Sequence, residues 1–289
     1  MRVAASGGRA MATMHLVSAK KLPRGDGVDK TSGVTDFRAL HQPGSPLVLV
    51  NAWDVASARI VAAAGAAAVA TTSAGVAWSL GAPDGDALGR DLAVAAARRI
   101  VAAVSVPVSV DIEAGYGDPA GTMRAMAAAG VAGVNLEDGS RSIAEQTGRL
   151  AAARAAAPDV FLNARIDTLL FGLGDLAEAV ERAKAYLDAG ADGVFVPGAT
   201  DPQAVGELVE AIPGPVNVLV GPGAPTIGEL AKLGVARISL GSSVAQAAYG
   251  LVDRAAREAF GSGDYTELAG PADYGRMNAL SARDAEAGR

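Results

Sequence analysis

The sequence predicts a closed (β/α)8 barrel, the TIM-barrel class of α/β fold, and three observations lead there. From Pro46 onward, eight short β-branched runs alternate with alanine-rich amphipathic segments, the pattern of parallel strands joined by crossover helices. The 289 residues suit one barrel of about 250 residues better than a two-layer domain. No G-x-G-x-x-G follows the first run, so the doubly wound open sheet, the alternative for such alternation, lacks its fingerprint.

The expected strands are LVLVN (47–51), AAVATT (67–72), VPVSVD (106–111), GVNLE (133–137), VFLNAR (160–165), GVFVP (193–197), PVNVLV (215–220) and ARISL (236–240). Helices are expected at 55–64, 91–104, 122–129, 143–156, 176–189, 202–211 and 227–233, with an eighth at 242–260. Gly65, Gly130, Gly190 and Gly234 stand where left-handed C-caps are expected. Residues 1–32, basic, glycine-rich and aperiodic, read as a flexible tail. Residues 33–260 form the barrel domain, and 261–289 a C-terminal arm that leaves it.

Composition narrows the function. Thirty-one Asp and Glu against 25 Lys and Arg give a formal charge of −6, with no basic block in the body of the chain, which argues against nucleic acid as a partner. No apolar run is long enough to span a bilayer. The absence of Cys removes disulfides, thiolate metal sites and a cysteine nucleophile, and suits a cytoplasmic setting. Of the two histidines, His15 lies in the tail and His41 ahead of the first strand, so histidine acid–base chemistry at a strand end is not expected.

Barrels of this class gather chemistry at the C-terminal ends of their strands. Those ends carry Asn51, then Thr72, Ser73 and Ala74, then Asp111 and Glu113, then Glu137, Arg165 and Asn217. In VSVDIEAGYGD (108–118), Asp111 and Glu113 leave an apolar strand at i and i+2, on one face and about 6.5 to 7 Å apart. Such a pair either caps the turn that follows or holds a cation. Glu137 adds a third carboxylate from the next strand, and three converging acids without a cation repel one another and raise their pKa values. A hard ion, Mg²⁺ or Mn²⁺, held by Asp111, Glu113 and Glu137 removes that conflict. Arg165 offers a planar fork to a carboxylate or phosphate, or else serves as a structural partner for the same acids.

In this order, NAWD (51–54), TTSAGVAWSLGAPDGD (71–86), SVDIEAGYGD (109–118), GVNLEDG (133–139) and NARIDT (163–168) resemble the isocitrate lyase/phosphoenolpyruvate mutase superfamily. The resemblance implies a barrel that holds Mg²⁺ through carboxylates and stabilises the enolate of a small 2-oxo acid. By motif it makes Asp111 a metal ligand, puts Glu113 where many members have a second aspartate, and gives Glu137 the next acid position. Asp84, in LGAPD, matches a further active-site aspartate. Thr72, Ser73 and Ala74 fall where hydroxyl and backbone groups grip substrate oxygens, and Arg165 matches the anion-binding arginine. The resemblance also implies a homodimer or homotetramer in which the eighth helix crosses to a neighbouring barrel.

The departures shape the expected reaction. EDGSRSIAEQ (137–146) has neither the Cys and His of the lyases' lid nor the Lys and Asn of the mutases' lid, leaving Ser140, Arg141 and Ser142 in a short loop. Tyr116 either hands a proton to the enolate or props the Gly115 to Gly117 turn. The leading expectation is a Mg²⁺-dependent carbon–carbon lyase or decarboxylase acting on a small 2-oxo or 2-hydroxy diacid. The alternatives are a phosphonomutase-type enzyme of the phosphorus–carbon bond, or a barrel that binds an anionic metabolite without turning it over.

Overall fold

The computed structural model describes residues 37–282; the expectation for residues 1–32 lies outside them. A single sheet contains β1 (Leu47–Leu49), β2 (Asn51–Ala52), β3 (Val69–Thr71), β4 (Val108–Asp111), β5 (Gly133–Glu137), β6 (Phe161–Arg165), β7 (Gly193–Phe195), β8 (Val216–Leu219) and β9 (Arg237–Ser239). Its order is β1-β9-β8-β7-β6-β5-β4-β3-β2. The two ends of that order belong to one stretch of chain. Only Val50 separates β1, parallel to β9, from β2, parallel to β3. The expected first strand is therefore split, and eight staves close the barrel.

Asn51 is the clasp of that closure. Its Nδ2 donates to Thr71 O at 2.7 Å, while its Oδ1 accepts from the backbone N–H of Leu240 at 3.0 Å and of Gly241 at 2.9 Å. The side chain thus joins the first, second and eighth staves. Asn51, one of the strand-end residues considered for substrate binding, therefore has its polar atoms bonded to the barrel.

The helices are α1 (Val55–Ala63), α2 (Ser73–Ser79), α3 (Arg90–Ala103), α4 (Pro119–Ala128), α5 (Ile143–Ala156), α6 (Leu176–Asp188), α7 (Pro202–Ala211), α8 (Ile227–Lys232), α9 (Ser243–Gly261) and α10 (Tyr274–Ser281). Asp54, Asp118, Ser142, Asp175, Asp201, Thr226 and Asp273 cap their helices through the side chain, each stabilising by about 1 kcal/mol. Gly65, Gly130, Gly190 and Gly234 take the left-handed backbone expected of them, with φ of 99°, 82°, 101° and 86°.

Two elements depart from the sequence reading. Residues 73–79 form α2 instead of a loop, with Gly75 at a close approach where a Cβ would come within 2.8 Å of Thr72 Cγ2 and Trp53 Cβ. The chain after α9 does not simply leave the barrel. A short 3-10 turn (Thr266–Leu268) leads into α10, which lies on α1, where Leu280 is buried and Arg59 Nη1 donates to Ser281 O at 2.9 Å.

The base of the barrel is plugged by Phe37, His41 and Phe161. The imidazole stacks on Phe161 at 4.0 Å, and its Nδ1 meets Phe37 O at 2.8 Å. Burial, reinforced by the charge of Arg237, pushes His41 down to about 3, so it remains neutral and far from acid–base duty. Of α9, only Ala245 is buried, while Tyr249, Leu251, Val252 and Phe260 are exposed. Beside its start runs an apolar groove of about 720 Å³ lined by Leu40, Leu47, Val48, Ile60, Ala64 and Val244, among others. Among the described residues, no helix is long and apolar enough to cross a membrane.

Candidate active site

The mouth is organised by three neighbouring staves. Asp111 ends β4, and its backbone N–H donates to Thr71 Oγ1 at 3.1 Å. Glu137 ends β5 and stands in register with Arg165, the last residue of β6. The guanidinium reaches across all three: Nη1 lies 2.9 Å from Glu137 Oε2 and 3.7 Å from Asp111 Oδ2, and Nε donates to Asp167 Oδ1 at 2.7 Å. Burial opposes the charge of Arg165, but Asp111, Glu137 and Asp167 outweigh it and raise its pKa further.

Glu113 lies behind this group. Its φ is 51°, that of Tyr116 is 52° and that of Asp86 is 62°, a left-handed backbone that costs a side-chain-bearing residue about 1 kcal/mol or more. A local network holds all three. Asp86 N–H donates to Glu113 Oε2, Tyr116 N–H donates to Asp86 Oδ1 at 3.2 Å, Tyr116 Oη donates to Glu113 Oε1 at 3.3 Å, and Glu113 N–H donates to Asp111 Oδ1 at 3.1 Å. Gly115, at φ 84°, turns the chain where a Cβ would come 2.9 Å from Pro119 Cα. Within the AGYG segment, then, Tyr116 reaches Glu113, and Gly115 allows the turn.

The three expected metal ligands are not brought together as one group. Among the described residues, no three acid, His or Cys side chains stand together as a metal cage. Glu113 is 1% exposed, with both carboxylate oxygens bonded to Asp86 and Tyr116, and Arg165 lies between Asp111 and Glu137. Asn217, the other strand-end asparagine considered for substrate binding, does not stand at the mouth. It is buried in the barrel interior, where Oδ1 accepts from Ser239 Oγ at 3.2 Å, within a network that includes Arg237 and Asn135. Thr72, Ser73 and Ala74 lie at the start of α2, all buried, and the Thr72 side chain makes no capping bond.

The electrostatics report a shortage of positive charge. Burial, then Asp84, Asp111 and Asp86, push Glu113 up to about 7. Burial pushes Glu137 up to about 8, with Arg165 opposing and Asp111, Asp167 and Glu113 adding to the rise. Asp111 is raised by burial although Arg165 pulls it down. Asp84 is exposed on its loop but close enough to act on both Asp111 and Glu113. A donor set of carboxylate oxygens, short of cations, suits a hard divalent ion completing its shell with water. Asp111 and Glu137 are the pair able to share one, provided that Arg165 gives way.

Six residues that the sequence analysis did not single out complete the site. Asp167, fully buried, holds Arg165, and its own N–H donates to Asp138 Oδ1 at 2.9 Å. The other oxygen of Asp138 accepts from Tyr186 Oη at 2.7 Å and Arg182 Nη1 at 3.1 Å. Asp86 ties the LGAPDGD loop to Glu113, and Arg149 donates to Ala114 O, bracing the same turn from α5. The DGD repeat beside Asp84 is the one sequence signal that could have pointed to Asp86. The short loop after Glu137 folds onto its own helix: Arg141 donates to Asp138 O and pairs with Glu145, while Ser142 caps α5.

A model of the phosphoenolpyruvate phosphomutase family matches residues 37–260. The chain belongs to the isocitrate lyase/phosphoenolpyruvate mutase superfamily. Among relatives in this superfamily, an uncharacterised Mycobacterium tuberculosis protein is 46% identical over 214 residues, covering 71% of this chain and 81% of its own length. The 2-methylisocitrate lyase of Escherichia coli is 32% identical over 200 residues, covering 62% and 67%. A crystal structure of phosphonopyruvate hydrolase in complex with oxalate and Mg²⁺ superimposes with a TM-score of 0.75 at 26% identity, covering 88% of this chain and 96% of the other. Superfamily members are thus enzymes of small acids, lyases and phosphonate enzymes alike.

Proposed function

We propose that this chain is a Mg²⁺-dependent carbon–carbon lyase or decarboxylase that forms a stabilised enolate from a small 2-oxo or 2-hydroxy diacid. The observation that carries the reading is the convergence of Asp111 and Glu137 on Arg165 at the barrel mouth, in a chain similar to a 2-methylisocitrate lyase and to a hydrolase that binds oxalate and Mg²⁺. Asp111 and Glu137 would hold the ion, with Asp84 on the adjacent loop adding negative charge. When bound, the ion supplies a Lewis acid for the negative charge that develops on a 2-oxo acid's carbonyl oxygen. Arg165 binds the substrate carboxylate, and Thr72, Ser73 and Ala74 orient it through hydroxyl and backbone groups. The pair of Glu113 and Tyr116 holds a proton beside the site. Tyr116, whose Oη lies 3.3 Å from Glu113 Oε1, is the candidate to hand that proton to the enolate.

The test is product formation from 2-oxo and 2-hydroxy diacids above a control without enzyme, abolished by a chelator and by Asp111→Ala. Lack of turnover with retained binding would favour a non-catalytic metabolite-binding barrel. A second reading, chemistry at a phosphorus–carbon bond, is favoured by the phosphomutase family match. Phosphorus NMR of phosphonopyruvate incubations separates the two. Arg165 and the short 138–142 loop offer little to steady a moving phosphoryl group, which is why the lyase reading leads.

The assembly we propose is a homodimer or homotetramer by exchange of α9. Its uncovered face and the apolar groove next to Val244 support that reading, since an apolar helix face needs burial.

A further inference from the structure

On the reading above, two ligands need the space that Arg165 fills. An ion held by Asp111 and Glu137 would meet the guanidinium as a like charge, because Nη1 already lies 2.9 Å from one carboxylate and 3.7 Å from the other. A substrate carboxylate needs the same Nη1 edge, which those acids now occupy. The side chain cannot serve the loaded site from where it stands.

The structure also contains a place for it to go. Nε is already held by Asp167 Oδ1 at 2.7 Å, and Asp167 is fully buried and fixed through its backbone by Asp138. Its second oxygen, Oδ2, is buried without a hydrogen-bond partner. An orphaned carboxylate oxygen beside a guanidinium is costly to leave unmet. A turn about the Nε contact would bring an Nη group onto Oδ2 and complete a two-bond fork. That fork would leave the outer edge of the guanidinium free for an anion.

We propose that Arg165 is a stand-in cation: it neutralises Asp111 and Glu137 until a divalent ion displaces it onto both oxygens of Asp167, and this displacement frees its outer edge for the anionic substrate. The inference rests on the metal-site reading and concerns how that site is loaded. It makes metal and arginine competitors for two carboxylates, and metal binding the step that precedes anion binding.

The test is Mn²⁺ affinity, read from the electron paramagnetic resonance signal of the free ion, for the wild-type protein and Arg165→Met. Measured over a rising pH series until the affinity of each protein no longer changes with pH, so that proton competition is removed from both, removing a like charge a few ångströms from the ion should tighten binding by about tenfold or more. Equal or weaker binding by the variant overturns the proposal while leaving the metal site standing. Absence of Mn²⁺ binding by both proteins overturns the metal reading and this inference with it. Should Arg165→Met fail to fold, a crystal structure of the wild-type protein with Mn²⁺ decides. Arg165 donating to both oxygens of Asp167 supports the exchange, and Nη1 still on Glu137 refutes it.

Discussion

Glu137 and Arg165 face each other in register at the ends of β5 and β6, and the guanidinium meets the carboxylate at 2.9 Å. Even with that partner, burial holds Glu137 at about 8, and burial with Asp84, Asp111 and Asp86 holds Glu113 at about 7. Both values lie above the ordinary 4.5. Such acids bind protons more tightly folded than unfolded, so stability falls as pH rises from the unfolded value toward the folded one and levels off above it. We expect the thermal midpoint of the metal-free protein to drop between about pH 5 and about pH 8, and millimolar Mg²⁺ to flatten that drop. Scanning calorimetry across the window checks it; a midpoint that climbs with pH would show that these acids do not carry the strain assigned to them.

Asn51 is expected to matter for stability more than for binding. Asn51→Ala leaves the N–H of Leu240 and of Gly241 and the carbonyl of Thr71 without their side-chain partners, a loss of about 3 kcal/mol. Urea unfolding measures it. A cost below about 1 kcal/mol would mean that the barrel closes without its clasp.

The exposed face of α9 gives a third prediction. If the helix packs on a neighbouring barrel, Leu251→Glu combined with Val252→Glu places two charges in an apolar interface and should shift the protein to monomer at micromolar concentration. Light scattering that finds the unmodified protein monomeric would remove helix exchange.

Much of the fold was legible because barrel staves are short apolar runs separated by capped helices, a signal local in sequence. GVNLE and the helix 143–156 match their observed bounds. Elements decided by tertiary contacts were not legible. The α2 helix begins in Thr-Ser and contains Gly75, and α10 owes its place to a surface on α1 that no local pattern announces. In the site, strand-end position was enough to bring Asp111, Glu137 and Arg165 together. It could not reveal that Glu113 turns away, because that depends on a left-handed backbone stabilised from another loop by Asp86. Nor could it reveal Asp167, whose role follows from the reach of Arg165 and not from spacing.

The most direct test of the central claim, that the mouth at Asp111, Glu137 and Arg165 binds an enolate-like dianion through a divalent ion, is a calorimetric titration of oxalate. The account predicts saturable binding with one site per chain in millimolar Mg²⁺, and none with a chelator or in Asp111→Ala. Oxalate binding of equal strength in the chelated protein or in Asp111→Ala would contradict it.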